Sequence, residues 1–272
     1  MTVVAADGQL VHPVTVDEFR IAAGETFDVL VEPSGQEAFT IWAQSMDRTG
    51  YARGTLALRD GLSAPVPDLD PVPLLTMADM GHEGMAHQGH GGMMDDATMQ
   101  THPESERGNP LVDMQVMSAS ARLDDPGIGL RTNGRRVLTY ANLRTLFPDP
   151  DGREPGRTVE LHLTGHMERF VWSFDGVKFS DAEPLRLTYG ERLRIVLVND
   201  TMMAHPIHLH GMWSDVEDDA GQFQLRKHVV DMPPGTKRSF RVRADALGRW
   251  AFHCHLLYHM AAGMFREVRV DV

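Results

Sequence analysis

The chain holds a single cysteine, Cys254, among 272 residues. One thiol excludes an internal disulfide, so cysteine usage places the protein in no particular redox compartment and Cys254 must be read by its neighbours. Long apolar runs are missing too. No stretch approaches the roughly 20 residues of a membrane-spanning helix, and the opening MTVVAADGQL has neither the basic nor the apolar region of a secretory signal. Basic charge is in deficit, with 26 Lys and Arg against 38 Asp and Glu. The resulting net charge of −12 argues against a nucleic-acid partner and suits a soluble protein that works on small molecules or cations. Aromatic residues are sparse at 7%, yet 42% hydrophobic content over this length suffices for one large core or two small ones.

What the chain does contain is short-range alternation. The first sixty residues carry LVHPVTVDEFRI, ETFDVLVEP, AFTIWAQS and GTLALRDG, separated by Gly and Pro, the pattern of half-buried β-strands. About four or five strands fall short of the roughly seven in a closed sandwich, so residues 1–62 are expected to form a partial domain. Residues 63–110 pass from the Pro-rich SAPVPDLDPVP to MADMGHEGMAHQGHGGMMDDATM, which has no period and reads as a linker. From 111 to 272 strand-like runs return in TVELHLTG, RFVWSFDG, LRLTYGERLRIVLVND, TKRSFRVRA, RWAFHCHLL and FREVRVDV, predicting a complete all-β domain. GRRVLTYANLRTLFP is the one stretch predicted to be helical.

The chemistry concentrates in two motifs, HPIHLH and HCHLLYHMAAGM, which hold six of the fourteen histidines and the only cysteine. A lone buried histidine is ordinarily a hydrogen-bonded core residue, but this clustering makes chance a poor explanation. On an extended strand Cys254 points one way while His253 and His255 point the other. By the same alternation His208 and His210 share a face, and His205, before a proline, turns away. Cys254, His205 and His259 then offer one thiolate and two imidazoles, with Met264 as a distant thioether. That donor set suits a blue-copper electron-transfer centre, because it serves both Cu(I) and Cu(II). Zinc also takes Cys and His, but its structural sites usually use two or more thiolates. His208, His210, His253 and His255 form an all-nitrogen set suited to copper that binds and reduces oxygen, and single peptide links join Cys254 to it.

Between Met77 and Met99 lie six methionines, Met77, Met80, Met85, Met93, Met94 and Met99, and three histidines, His82, His87 and His90. Thioethers favour Cu(I), so this segment is expected to capture or deliver copper without fixed geometry. Met202, Met203 and Met212 flank HPIHLH, either as packing beneath the site or as guides for Cu(I).

HPIHLHG and HCHLLYHMAAGM resemble the third and fourth copper motifs of the multicopper oxidases. More narrowly, SMDRTGYARGTLA, FVWSFDGVKFS, NDTMMAHPIHLHGMW and VVDMPPGTKRSFRVRADALGRW resemble the CopA-type periplasmic copper-resistance oxidases, nearly end to end. The resemblance implies an all-β fold of cupredoxin-like Greek-key β-sandwich or barrel domains. It implies that His205, Cys254 and His259 bind type 1 copper with Met264 axial, that His208 is a type 2 ligand, and that His210, His253 and His255 belong to the type 3 pair. His228, in LRKHVVDMPPG, falls where relatives place a polar residue near a type 1 histidine. The implied reaction takes single electrons from Cu(I), a phenol or another small reductant and reduces dioxygen to water.

The sequence departs from the family in one respect. The first two copper motifs, HxHG and HxH, are not found; His12 is isolated, and HQGH has neither the spacing nor a strand context. Half of the trinuclear histidines are therefore expected to come from a missing amino-terminal domain or a neighbouring subunit. The chain reads as the carboxy-terminal portion of a periplasmic oxidase, or alternatively as a copper-sequestering or electron-transfer protein with only a type 1 site.

Overall fold

The computed structural model describes residues 1–76, 79 and 99–272. Met77, Met80, His82, Met85, His87, His90, Met93 and Met94 lie outside the described residues, whereas Met99 lies within them and is exposed. Along the described chain run β1 (Thr2–Ala6), β2 (Gln9–Thr15), β3 (Glu18–Phe19), β4 (Phe27–Leu30), β5 (Ala38–Gln44) and β6 (Tyr51–Ala57). There follow β7 (Val137–Leu138), β8 (Arg157–His166), β9 (Val171–Phe174), β10 (Leu185–Thr188), β11 (Arg192–Asn199) and β12 (His205–Leu209). The chain ends with β13 (Ser214–Glu217), β14 (Phe223–Lys227), β15 (Val229–Met232), β16 (Lys237–Arg243), β17 (Gly248–Cys254), the short helix α1 (Leu257–Ala261) and β18 (Phe265–Asp271).

Two sheets carry the later part of the chain, ordered β10-β18-β17-β12-β15 and β14-β13-β16-β11-β8-β9. Alternation along β11 sends Leu193, Ile195 and Leu197 into the same core as Ile207 and Leu209 of β12 and Phe252 of β17. Phe174 of β9 stacks on Phe252 across the two sheets at 5.4 Å between ring centroids. The result is an all-β sandwich of the cupredoxin kind.

The segment predicted to be helical is not. Its Val137 and Leu138 pair in parallel with β3, and Tyr140–Asn142 make only a single 3-10 turn. Asn142 accepts hydrogen bonds from the Thr139 backbone and hydroxyl, and Leu143 resumes an extended backbone. Burial of Val137, Leu138 and Leu143 between the first thirty residues and the sandwich outweighs local helix propensity.

Those first thirty residues add their own three-stranded sheet, β2-β1-β4, and extend the same core through Val3, Ala6, Val11 and Val16. Asp7 and Gly8 link β1 to β2 with φ of 49° and 72°, the positive pair that a tight two-residue hairpin turn requires. Asp7 then reaches into the sandwich. Its carboxylate accepts the backbone N–H groups of Thr26, His228 and Val229, and it stands 3.0 Å from the Lys227 ammonium. Lys227, fully buried, also stands 3.1 Å from Glu25 Oε1; both contacts are ion pairs rather than well-aligned hydrogen bonds. By contrast, β5 and β6 pair only with each other among the described residues, and β6 is exposed along its length.

Burial pushes the Asp7 carboxyl up, but Lys227 and the backbone donors outweigh it and hold the pKa below its ordinary 3.8. Burial likewise pushes Lys227 down, and Glu25 with Asp7 outweighs it, holding the ammonium above its ordinary 10.5. The Asp7 contribution is complete above pH 3.8 and is lost as the pH falls through the lower folded-state value. The Lys227 contribution is complete below pH 10.5 and is lost as the pH rises through its folded-state value. Urea midpoints of the native protein should therefore fall more steeply below about pH 4 than those of an Asp7→Asn variant. Parallel acid limbs for the two proteins would refute this.

Candidate metal centre

The register between β12 and β17 sorts the motif residues onto two faces. Ile207 pairs with Cys254 and His208 with His253. Side-chain alternation then puts His205 and Cys254 on the core face, and His208, His210, His253 and His255 on the other.

On the core face, Cys254 Sγ lies 3.7 Å from His205 Nδ1 and 3.7 Å from His259 Nδ1, and the two nitrogens are 3.1 Å apart. Bonds of about 2.0–2.3 Å to a first-row metal set neighbouring donors roughly 3.3–3.8 Å apart, so this triangle is close to the size of a coordination sphere. All three residues are buried. Helix α1 delivers His259, and the chain then doubles back: Met264 N–H donates to His259 O, and Cys254 N–H donates to Met264 O. These bonds hold Met264, fully buried, beside both residues.

Residues outside the two motifs set the ring orientations. The Thr201 hydroxyl donates to Asn199 Oδ1 at 2.9 Å, and His205 Nε2 meets Thr201 Oγ1 at 2.7 Å. With the hydroxyl proton committed to Asn199, His205 Nε2–H is the donor and Nδ1 keeps its lone pair toward Cys254. Asn199 is itself locked by donating to the carbonyls of Met203, Met232 and Pro233. Trp172 stacks on His259 at 4.2 Å. Sequence reasoning missed Thr201, Asn199 and Trp172; the Asn-Asp-Thr run just before His205 was the available signal.

Burial pushes the Cys254 thiol up to about 12 and His259 down to about 4, and holds His205 well below its usual value. The trio thus presents neutral lone pairs and a proton that only a bound cation would displace. One soft sulfur, two imidazole nitrogens and a buried thioether fit copper by donor chemistry.

On the other face the four histidines gather. His210 Nε2 and His253 Nε2 are 3.1 Å apart, and the His208 ring centroid lies 4.5 Å from that of His210, 5.7 Å from His253 and 5.8 Å from His255. His208 Nδ1–H donates to the backbone oxygen of His228 at 2.6 Å, and His253 Nδ1–H donates to Cys254 O at 2.9 Å. Each therefore turns its Nε2 outward into the cluster. Burial and the neighbouring imidazoles drive His208 down to about 4, so it presents a lone pair rather than a charge. Gly24, at φ +87°, closes over His255; a Cβ there would lie 2.7 Å from the ring. His228 keeps its contacts with His208 and Asp7. Met212 is core packing, Met203 is partly buried against the same core, and Met202 is exposed.

A β-sandwich that holds a Cys-His-His trio back to back with four histidines defines a copper protein, and comparison with known proteins agrees. Multicopper oxidase family models match residues 152–272 and 1–60, and the chain belongs to the multicopper oxidase family, whose members are copper-dependent oxidoreductases. Within that family it is 65% identical over 315 aligned residues to copper resistance protein A of Escherichia coli, covering all of this chain and 52% of that protein. A copper resistance protein A homolog of Pseudomonas syringae pv. tomato is 66% identical over 299 residues, again across the whole chain and 51% of the relative. The chain thus spans about half the length of these curated relatives. In fold it is similar to the crystal structure of Fet3p, a multicopper oxidase that functions in iron import, with a TM-score of 0.60 at 15% identity over 99% of this chain and 51% of that one.

Proposed function

We propose that this chain serves a periplasmic copper-resistance oxidase, taking single electrons from Cu(I) or a phenolic reductant and delivering them to dioxygen, which is reduced to water. His205, Cys254 and His259, with Met264 as a weaker fourth donor, would hold type 1 copper; His208 would hold type 2 copper, and His210, His253 and His255 the type 3 pair. Copper bound there would supply reversible one-electron chemistry. The protein's part is to fix the donors. Thr201 and Trp172 set the two imidazole planes, the apolar core keeps water from Cys254, and the His228 carbonyl aims His208.

The observation that carries this reading is the position of Cys254, one peptide link from His253 and one from His255, on the opposite face of the same strand. A residue that touches one cluster is thereby covalently joined to the other. Four histidines are half of a trinuclear set, and the other half would come from polypeptide beyond these 272 residues or from a neighbouring subunit. That count also favours a second reading, in which the chain binds copper and passes electrons or stores the metal without turnover. The Met- and His-rich segment from Met77 to Met99 would then deliver Cu(I) in either case.

Copper analysis, visible absorption and oxygen uptake on the purified chain with copper and ascorbate test these readings. One tightly bound blue copper is expected, with no catalytic oxygen uptake until the complementary histidines are supplied. Catalytic uptake by the chain itself would mean that a second subunit completes the site. A colourless protein that binds no copper at Cys254 would refute both readings.

A further inference from the structure

A second convergence of metal-binding side chains lies away from both histidine motifs. His102 and Glu106 come from the segment after Met99, with Glu106 on a single 3-10 turn; His162 comes from β8, and Asp200 follows β11. Each turns one ligand atom inward, and the four atoms lie within 4.8 Å of one another. His162 Nδ1 is 2.7 Å from Asp200 Oδ2 and 3.8 Å from Glu106 Oε1. His102 Nδ1 is 3.2 Å from Glu106 Oε2 and 3.5 Å from Asp200 Oδ2. A tetrahedral ion with bonds of about 2.0–2.1 Å sets its donors roughly 3.3 Å apart, and these four distances, taken to one or the other oxygen of Glu106, bracket that value.

The outward side of each ring is equally telling. His102 Nε2–H donates to Val116 O at 2.9 Å, and His162 Nε2–H donates to Glu160 Oε1 at 3.3 Å. Metal-binding histidines characteristically give their second N–H to a carbonyl or carboxylate, which leaves the other nitrogen free to coordinate. The carboxylates are braced in the same way, Asp200 Oδ1 by Val116 N–H and Glu106 Oε2 by the Gln115 amide. Glu106 Oε1 has no hydrogen-bond partner, although its side chain is completely buried and aimed at His162. A buried carboxylate oxygen without a hydrogen bond costs stability, the His162 ring at 3.8 Å is too far to supply one, and a bound cation would satisfy it.

We propose that His102, Glu106, His162 and Asp200 form a second, buried site for a divalent first-row transition-metal cation, separate from the Cys254 trio. Without metal, Asp200 and Glu106 hold His102 up at about 9 and hold His162 above its ordinary value against burial. A divalent ion takes the place of the two Nδ1 protons, which leave to solvent, and two neutral imidazoles with two carboxylates around it are neutral overall, as the interior demands. Nitrogen and carboxylate donors without sulfur select zinc, cobalt or copper(II) rather than Cu(I). An ion here would pin the segment after Met99 to the end of β11, at the residue between Asn199 and Thr201, whose contacts orient His205.

Cobalt(II) titration of the full-length chain, followed by visible absorption and equilibrium dialysis, tests the proposal beside Glu106→Gln and His102→Asn variants. The native protein is expected to bind one more cobalt than either variant, or to bind it roughly tenfold or more tightly. The native-minus-variant spectrum should hold d–d bands without a thiolate charge-transfer band, because Cys254 is the chain's one thiol. The Glu106→Gln protein should match or exceed the native thermal stability without metal, since it removes one of two facing carboxylates. Equal stoichiometry and affinity in all three proteins would overturn the proposal and leave a buried ion-pair network. Should the variants fail to fold, a His208→Asn, His210→Asn protein, which lacks the other sulfur-free cluster, decides: cobalt bands that all carry thiolate character there would overturn the proposal, and sulfur-free tetrahedral bands that persist there would uphold it.

Discussion

Replacing Cys254 by serine is expected to abolish every trace of blue colour and all electron flow from reductant to oxygen in any assembly that contains this chain. Blue absorption is thiolate-to-copper charge transfer, which needs the sulfur, and an alkoxide at this position would require a far stronger base than the site offers. The two side chains have nearly the same shape, so the sandwich should still form. The cost is one hydroxyl in a fully buried position with no designed partner, about 1–3 kcal/mol if it stays unsatisfied. His205 and His259 remain in the variant, held by Thr201 and by stacking on Trp172, so weak, colourless copper binding should persist. Visible spectra and copper analysis of the two proteins side by side are sufficient. A serine variant that stayed blue would defeat the assignment of Cys254.

The second large effect concerns stability. Lys227→Met should destabilise the fold by about 3–5 kcal/mol, the usual consequence of removing one partner from a buried ionic cluster. Lys227 is fully buried between Asp7 and Glu25, and its ammonium lies over the rings of Phe27 and Tyr140. Methionine fills the volume but leaves two carboxylates facing each other in the interior. The loss would spread to the histidine cluster by a short route. Asp7 holds the backbone N–H groups of His228 and Val229, and the His228 carbonyl holds His208. Urea denaturation of the two proteins measures the first effect, and copper occupancy on the histidine face measures the second. A variant within about 1 kcal/mol of the native protein would show that the cluster is no more than neutral.

The copper chemistry was legible in the chain because it is local. HCH and HPIHLH need only the period-two alternation of a strand to place a thiol on one face and imidazoles on the other, and the β12–β17 register bears that geometry out. Strands β8 to β11 and β16 to β18 were legible for the same reason. The stretch from Gly134 to Pro148 was misread because its propensity is helical while its burial is not: Val137 and Leu138 are claimed by a parallel partner more than a hundred residues away. Thr201, Asn199 and Trp172 carry no motif of their own, and they matter only through what they touch.

Composition, the two histidine motifs and strand alternation were enough to determine an all-β copper protein and to single out the candidate side chains for its metal chemistry. Each of those features is encoded over a few residues by backbone geometry. Tertiary structure alone decided which rings are held by Thr201 and Trp172, that Asp7 and Glu25 answer Lys227, and that His102 and Glu106 meet His162 and Asp200. These are meetings of distant segments, chosen by where the shared core forces the chain to fold back and by the need of every buried charge for a partner.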